Sequence, residues 1–151
     1  MEYAGVVWRY FKGNKLYNQN EDKVFLNNVL YLLQKTAGYF DYDFRETKDG
    51  MVSVGVSEEI KRYVPERDNI VFCNDIVRGI ERIKQHIITE CPGGMNVAEW
   101  LRYCAVMYRY SRYILSSNAD GQDVVDYVKR ENVEYDGDLL MRALETVKGI
   151  Q

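Results

Sequence analysis

Residues 97–115 read VAEWLRYCAVMYRYSRYIL, and this stretch decides the fold. At about 100° per residue, Trp100, Leu101, Cys104, Met107, Tyr108, Ser111 and Leu115 fall on one side of a helix. Tyr103, Val106, Tyr110, Tyr113 and Ile114 fall on another, and only Arg102, Arg109 and Arg112, with Ala105, remain as a charged strip. A helix that is apolar nearly all round belongs in the middle of its domain. Asn96-Val97-Ala98-Glu99 opens it as a capping box in which Asn replaces Ser or Thr.

The elements that must surround this helix are legible on both sides of it. Upstream, Asn74 or Asp75 caps a helix whose Ile76, Ile80, Ile83 and Ile87 form one stripe, ended by Pro92-Gly93-Gly94. Downstream, Asp120 and Asp123 open a helix carrying Val124, Val125 and Val128. Asp136 and Asp138 open the last, with Leu139, Leu140, Ala143, Leu144 and Val147. Nearer the start, Asn20 is placed to cap a helix in which Leu26, Val29, Leu30, Leu33 and Ala37 recur at helical spacing up to Gly38.

The period then changes to two. Phe40, Tyr42 and Phe44 alternate with Asp41, Asp43 and Arg45, while Val52, Val54 and Val56 alternate with Ser53 and Gly55. Asp49-Gly50 between the runs predicts a β-hairpin. Ser57-Glu58-Glu59-Ile60 starts a short helix that must stop by Pro65. Residues 3–17 show no decisive period. The expectation is a mainly α, single helical domain of five to six helices with a small β-hairpin. It spans 1–151, with 1–20 of unassigned structure, helix, hairpin and short helix over 21–64, and a helical part over 74–149.

The chain has 151 residues, 46% of them apolar and 28% charged, which suits one folded domain and excludes disordered and disulfide-scaffold classes. Its formal charge of −3 supplies no global attraction to nucleic acid. By segment, 36–77 and 117–151 each carry −4, whereas 78–116 carries +3. The 13 tyrosines outnumber the ten leucines, an inversion of ordinary composition that concentrates in the central helix. Cys73, Cys91 and Cys104 match no zinc or CxxC spacing and read as reduced thiols. With no readable signal peptide and no membrane-spanning stretch, a cytoplasmic protein without a membrane partner is expected.

Chemistry-bearing patterns are sparse. His86 is the single histidine, so a His-rich metal site is impossible. Cys73 precedes a helix N-terminus, where a thiol pKa can be lowered, but an ordinary buried cysteine is the better account of it. Asp41 and Asp43 share one strand face and read more simply as a solvated face than as an acid/base pair. No Walker, GxGxxG, HExxH, GxSxG or EF-hand motif occurs. No cofactor, metal or catalytic residue is assigned, and a non-enzymatic protein is expected.

Phe25-Leu26-Asn27-Asn28-Val29-Leu30-Tyr31-Leu32-Leu33, Tyr42-Asp43-Phe44, Gly50-Met51-Val52-Ser53 and Glu58-Glu59-Ile60 resemble the opening of the YwgA-like uncharacterised prokaryotic proteins. Those have a "LQKLVYLLQ" helix, a "Y.F" step, a "GPYS" turn and a short helix. Glu99 to Ala105, with Val124 to Lys129 and Ala143-Leu144, is similar to their "EWLELLAT" helix and closing helix pair, so the resemblance covers about residues 24–148. It extends more loosely to the SocA-like (Panacea) antitoxin domains. The resemblance implies a winged-helix-like or helix-turn-helix-like prokaryotic protein, a regulator or antitoxin. The chain departs from the pattern at Asn28, where lysine is usual, and at Met51-Val52, where Pro-Tyr is usual. The pattern reads 51–56 as strand and the resemblance reads it as loop.

Two uses of the central helix stay open. In one it is core, with tyrosine hydroxyls reaching water. In the other Tyr103, Tyr110 and Tyr113, with Arg102, Arg109 and Arg112, form an interface, since Tyr and Arg dominate binding hot spots. The partner is then another protein or a second copy of the chain, as in a homodimer. The alternative is a winged-helix DNA-binding transcriptional regulator. Acidic Glu131, Glu134, Asp136 and Asp138 disfavour the last helix pair as its reading head. Arg78, Arg82 and Lys84, with the three arginines of the central helix, are the better nucleic-acid contacts. DNA is therefore the less favoured partner.

Overall fold

The computed structural model describes residues 2–38, 40–64, 73–115 and 120–150, the side chains of 113–115 excepted. The described helices are α1 (Tyr3–Lys12), α2 (Lys23–Ala37), α3 (Val54–Arg62), α4 (Asn74–His86), α5 (Val97–Leu115), α6 (Gly121–Glu131) and α7 (Gly137–Lys148). A 3-10 turn spans Ile88–Glu90, and β1 (Arg45–Thr47) and β2 (Gly50–Val52) form one antiparallel hairpin. The mainly α reading with a small hairpin holds. The number of α-helices among the described residues is seven, one more than the largest number expected, because 3–12 is helical.

Helix α5 is the axis. Trp100, Leu101 and every residue from Tyr103 to Met107 and Tyr108 are buried, with α2 and α7 as its main neighbours. Full burial of one large apolar side chain contributes roughly 1.5–3 kcal/mol, so this buried run is a large contributor to the core. Trp100 donates its indole N–H to the Ile87 carbonyl at 2.8 Å, tying α5 to the end of α4. The isoleucine stripe of α4 is buried as its spacing predicts. In α1, Ala4, Val7 and Trp8 make the inward face, and Trp8 is enclosed by the rings of Tyr17 and Phe25.

The hairpin is displaced from its predicted place. Strands expected over 40–44 and 52–56 are instead 45–47 and 50–52, with Lys48-Asp49 at the turn and Thr47 opposite Gly50. Residues after β2 leave the sheet because Ser53 becomes the N-cap position of α3, its N–H donated to the Asn27 side chain at 3.0 Å. Val54 is then 72% exposed and Val56 fully buried, an arrangement that a strand with period two would forbid. Thus 51–56 is neither all strand nor loop. The Phe40-Tyr42-Phe44 run lies outside the sheet.

Helix starts agree with the sequence reading where aspartate caps them. Asp120 and Asp123 form a reciprocal capping box on α6, and Asp136 accepts the Leu139 N–H on α7. Asn96 accepts the Ala98 N–H at 2.8 Å, while Glu99 turns to Arg102. Two starts move. Helix α2 begins after Asp22, with Asn18 bonding the N–H groups of Asn20 and Glu21, and α4 is preceded by Cys73.

Candidate functional site

Tyr31, Gln34 and Lys35 share one face of α2, three and four residues apart, and Tyr108, Arg109 and Arg112 do so on α5. Between them runs the extended segment 42–44. Its backbone has no strand partner; the Gln34 amide supplies one, accepting the Tyr42 N–H at 2.8 Å and donating to the Tyr42 carbonyl at 3.0 Å. These three pieces enclose a cleft of about 340 Å³ lined by Tyr31, Gln34, Lys35, Tyr42, Asp43, Phe44, Tyr108, Arg109 and Arg112.

The cleft wall is aromatic. Phe44 packs edge-on against Tyr31, with ring centroids 5.4 Å apart, and against Tyr42 at 5.9 Å; Tyr31 meets Tyr108 at 6.5 Å. Lys35 Nζ stands 5.6 Å from the Tyr31 ring centre, and the Tyr42 hydroxyl donates to Glu59 at 2.6 Å. Burial pushes the Tyr31 hydroxyl up to about 12, although Arg109 and Arg112 both favour its ionised form. Arg109 Nε lies 3.7 Å from Glu46 on β1. Burial first and the nearby Glu46 carboxylate second raise the pKa of Tyr110.

The sequence-predicted interface residues separate into two groups. Arg109 and Arg112 are exposed at the cleft, and half-buried Tyr110 sits beside it with Tyr127, ring centroids 5.5 Å apart. Tyr103 and Arg102 face elsewhere. Tyr103 is buried, its hydroxyl accepting the Asp136 N–H at 2.9 Å and its ring meeting Tyr135 at 4.9 Å, so it joins α5 to the start of α7. Arg102 is not on a wet strip. It donates to the Lys48 carbonyl and to Glu99, each at 2.7 Å, and its guanidinium stands 4.9 Å from the Tyr135 ring centre. Ala105, assigned to the same strip, is buried. Tyr113 lies on α5, but its side chain is outside the described residues.

Of the proposed nucleic-acid contacts, Arg78 is paired with Asp75 at 3.0 Å and Lys84 with Glu81 at 3.6 Å, while Arg82 donates to the Ile150 carbonyl at 3.2 Å. Five residues separate α6 from α7, longer than the usual helix-turn-helix connection. Asp41 and Asp43 are both exposed. Cys73 is exposed, and burial raises the thiol pKa of Cys91 and, more strongly, Cys104. Among the described residues no cluster of three His, Cys, Asp or Glu side chains is placed to hold a metal ion.

Sequence reasoning missed Tyr31, Lys35, Tyr42 and Phe44 as parts of one site. The period-two run over 40–44 marked the aromatic residues, but nothing local says that α2 and α5 lie on either side of it. No family model matches the chain, and no curated protein or solved structure matches it. No helix of the described residues is long and apolar enough to cross a membrane.

Proposed function

We propose that this protein acts by binding, as a small cytoplasmic interaction or regulatory protein of the antitoxin-like kind, and that it docks a protein partner on the C-terminal half of α5. One observation carries the reading. Helix α5 is enclosed from Trp100 to Tyr108, apart from half-buried Arg102, and then surfaces with Arg109, Tyr110 and Arg112 beside the exposed ring of Tyr127. Arginine and tyrosine are the side chains that most often dominate binding energy. The two arginines select a partner surface bearing carboxylates, which also hastens encounter.

The test is partner retention by the full chain and by an Arg109→Glu/Arg112→Glu variant, expressed in the source cell and purified at matched stability. The expected result is a stoichiometric protein partner held by the wild type and released by the variant. Sedimentation over a wide concentration range reads the homodimer version of the same interface. Identical profiles for both chains, in retention and in sedimentation, would overturn the reading. A gel shift on random duplex DNA at low salt that survives the double substitution would replace it with the transcriptional-regulator alternative, since phosphate attraction is strongest there.

A further inference from the structure

The cleft between α2, segment 42–44 and α5 combines the two arginines of the docking surface with groups that partner docking does not use. Its lining contains Lys35, Arg109 and Arg112 against the single carboxylate of Asp43, in a chain whose net charge is −3. Asp43 is 3.8 Å from Arg45, and both side chains are largely in solvent. Arg112 has no ion pair or hydrogen bond among the described residues, and Arg109 Nε stands 3.7 Å from Glu46. The Gln34 amide and the Tyr42 hydroxyl are committed inside the chain.

Tyr31 is only 3% exposed, yet its hydroxyl has no hydrogen-bond partner among the described residues. Enclosed polar groups are ordinarily paired. The hydroxyls of Tyr17, Tyr63 and Tyr135 are also unpaired, but they are sealed from solvent, where no ligand can reach them. That of Tyr31 is not sealed, and the residue lines the cleft within the field of Arg109 and Arg112. Beside it the half-buried rings of Phe44 and Tyr42 offer aromatic surface.

We propose that this cleft binds a small molecule carrying an oxyanion on a planar ring, with Arg109, Arg112 and the Tyr31 hydroxyl receiving the oxyanion and Phe44 and Tyr42 contacting the ring. Arginine forks match carboxylate and phosphate oxygens in pairs, and a tyrosine hydroxyl adds a donor. Planar rings gain from offset or edge contact with aromatic side chains. A volume of about 340 Å³ stands at the small end of ligand pockets, which suits one ring system with one anionic group. The inference goes beyond partner docking and is tested on the isolated chain, so either can fail while the other stands.

The experiment is calorimetric titration of the full chain at low salt with adenosine 5′-monophosphate and with 4-hydroxybenzoate, which separate a phosphate from a carboxylate source. Adenosine and inorganic phosphate are the controls. At least one ring-bearing anion is expected to saturate with a Kd at or below about 1 mM, and each control to bind at least about tenfold more weakly. Arg112→Gln and Tyr31→Phe, which remove a charge and a hydroxyl without emptying the core, are each expected to weaken binding by about fivefold or more. The proposal is overturned if neither anion saturates by about 10 mM, if phosphate alone binds as well, or if both folded variants bind like the wild type.

Discussion

The Asn28 side-chain oxygen accepts the backbone N–H of Met51 at 2.9 Å inside the protein. Its amide nitrogen donates to the Val24 carbonyl at 2.7 Å and to the Asp49 carbonyl at 3.1 Å, so one side chain holds both ends of the hairpin turn against α2. Asn27, its neighbour, does the same for Ser53. A proline at 51 would offer no N–H for Asn28 to accept.

Asn28→Leu removes the acceptor of a buried N–H and the donor to two carbonyls. Its expected cost is about 1–3 kcal/mol of unfolding free energy. Urea denaturation followed by circular dichroism checks this, and an unchanged midpoint would mean that the hairpin is held by other contacts.

Gly50 has φ +84, and a Cβ there would stand 2.5 Å from Asn28 Oδ1 and 2.8 Å from Arg102 Cγ. Gly50→Ala therefore meets both backbone strain and a displaced Asn28. A loss of about 1–3 kcal/mol is expected, together with faster amide exchange at Met51 and Ser53. Exchange rates equal to those of the wild type would show that the turn relaxes without cost.

Tyr103 and Tyr110 lie on the same helix and are expected to respond differently. Tyr103→Phe deprives the Asp136 N–H of its acceptor and should lower stability by about 0.5–1.5 kcal/mol with no effect on partner retention. Tyr110→Ala takes away a half-buried ring packed on Tyr127, and the chain should stay folded while retention falls. Thermal melts paired with the retention assay distinguish them; the reverse pattern would place the interface at Tyr103.

Burial raises Tyr17, Tyr31 and Tyr135 from 10.0 to about 12. The unfolded chain releases these protons near pH 10, whereas the folded chain retains them. Stability from these groups is thus fully present below about pH 10 and is lost as pH rises towards 12. The urea midpoint should fall across that window, with part of the tyrosinate absorbance appearing only on unfolding. A flat midpoint through the window would contradict the enclosure of these hydroxyls.

Much of the helical framework was legible because it rests on local rules. The stripe of Ile76, Ile80, Ile83 and Ile87 and the aspartate caps at 120 and 136 are read within one or two turns of chain, and all appear in the structure. The hairpin was read in the right neighbourhood and the wrong register. Alternation over 52–56 is common to a strand and to the start of a helix until burial of Val56 without Val54 chooses between them. Helix α1 escaped because its inward face, Ala4, Val7 and Trp8, is short, and Trp8 gains its partners from Tyr17 and Phe25 beyond the helix.

Helical spacing marked α5 as a nearly all-apolar helix suited to the middle of its domain, and its tyrosines and arginines as the side chains of interest. Which of them face inward was settled by packing. Helical spacing fixes angles around one axis, but the covering of each angle depends on elements distant in the chain. Asp136 and Tyr135 claim Tyr103, the Lys48 carbonyl claims Arg102, and segment 42–44 rises beside Arg109 and Arg112 to leave a cleft. Those neighbours lie between about 30 and 70 residues away, beyond the reach of any local period.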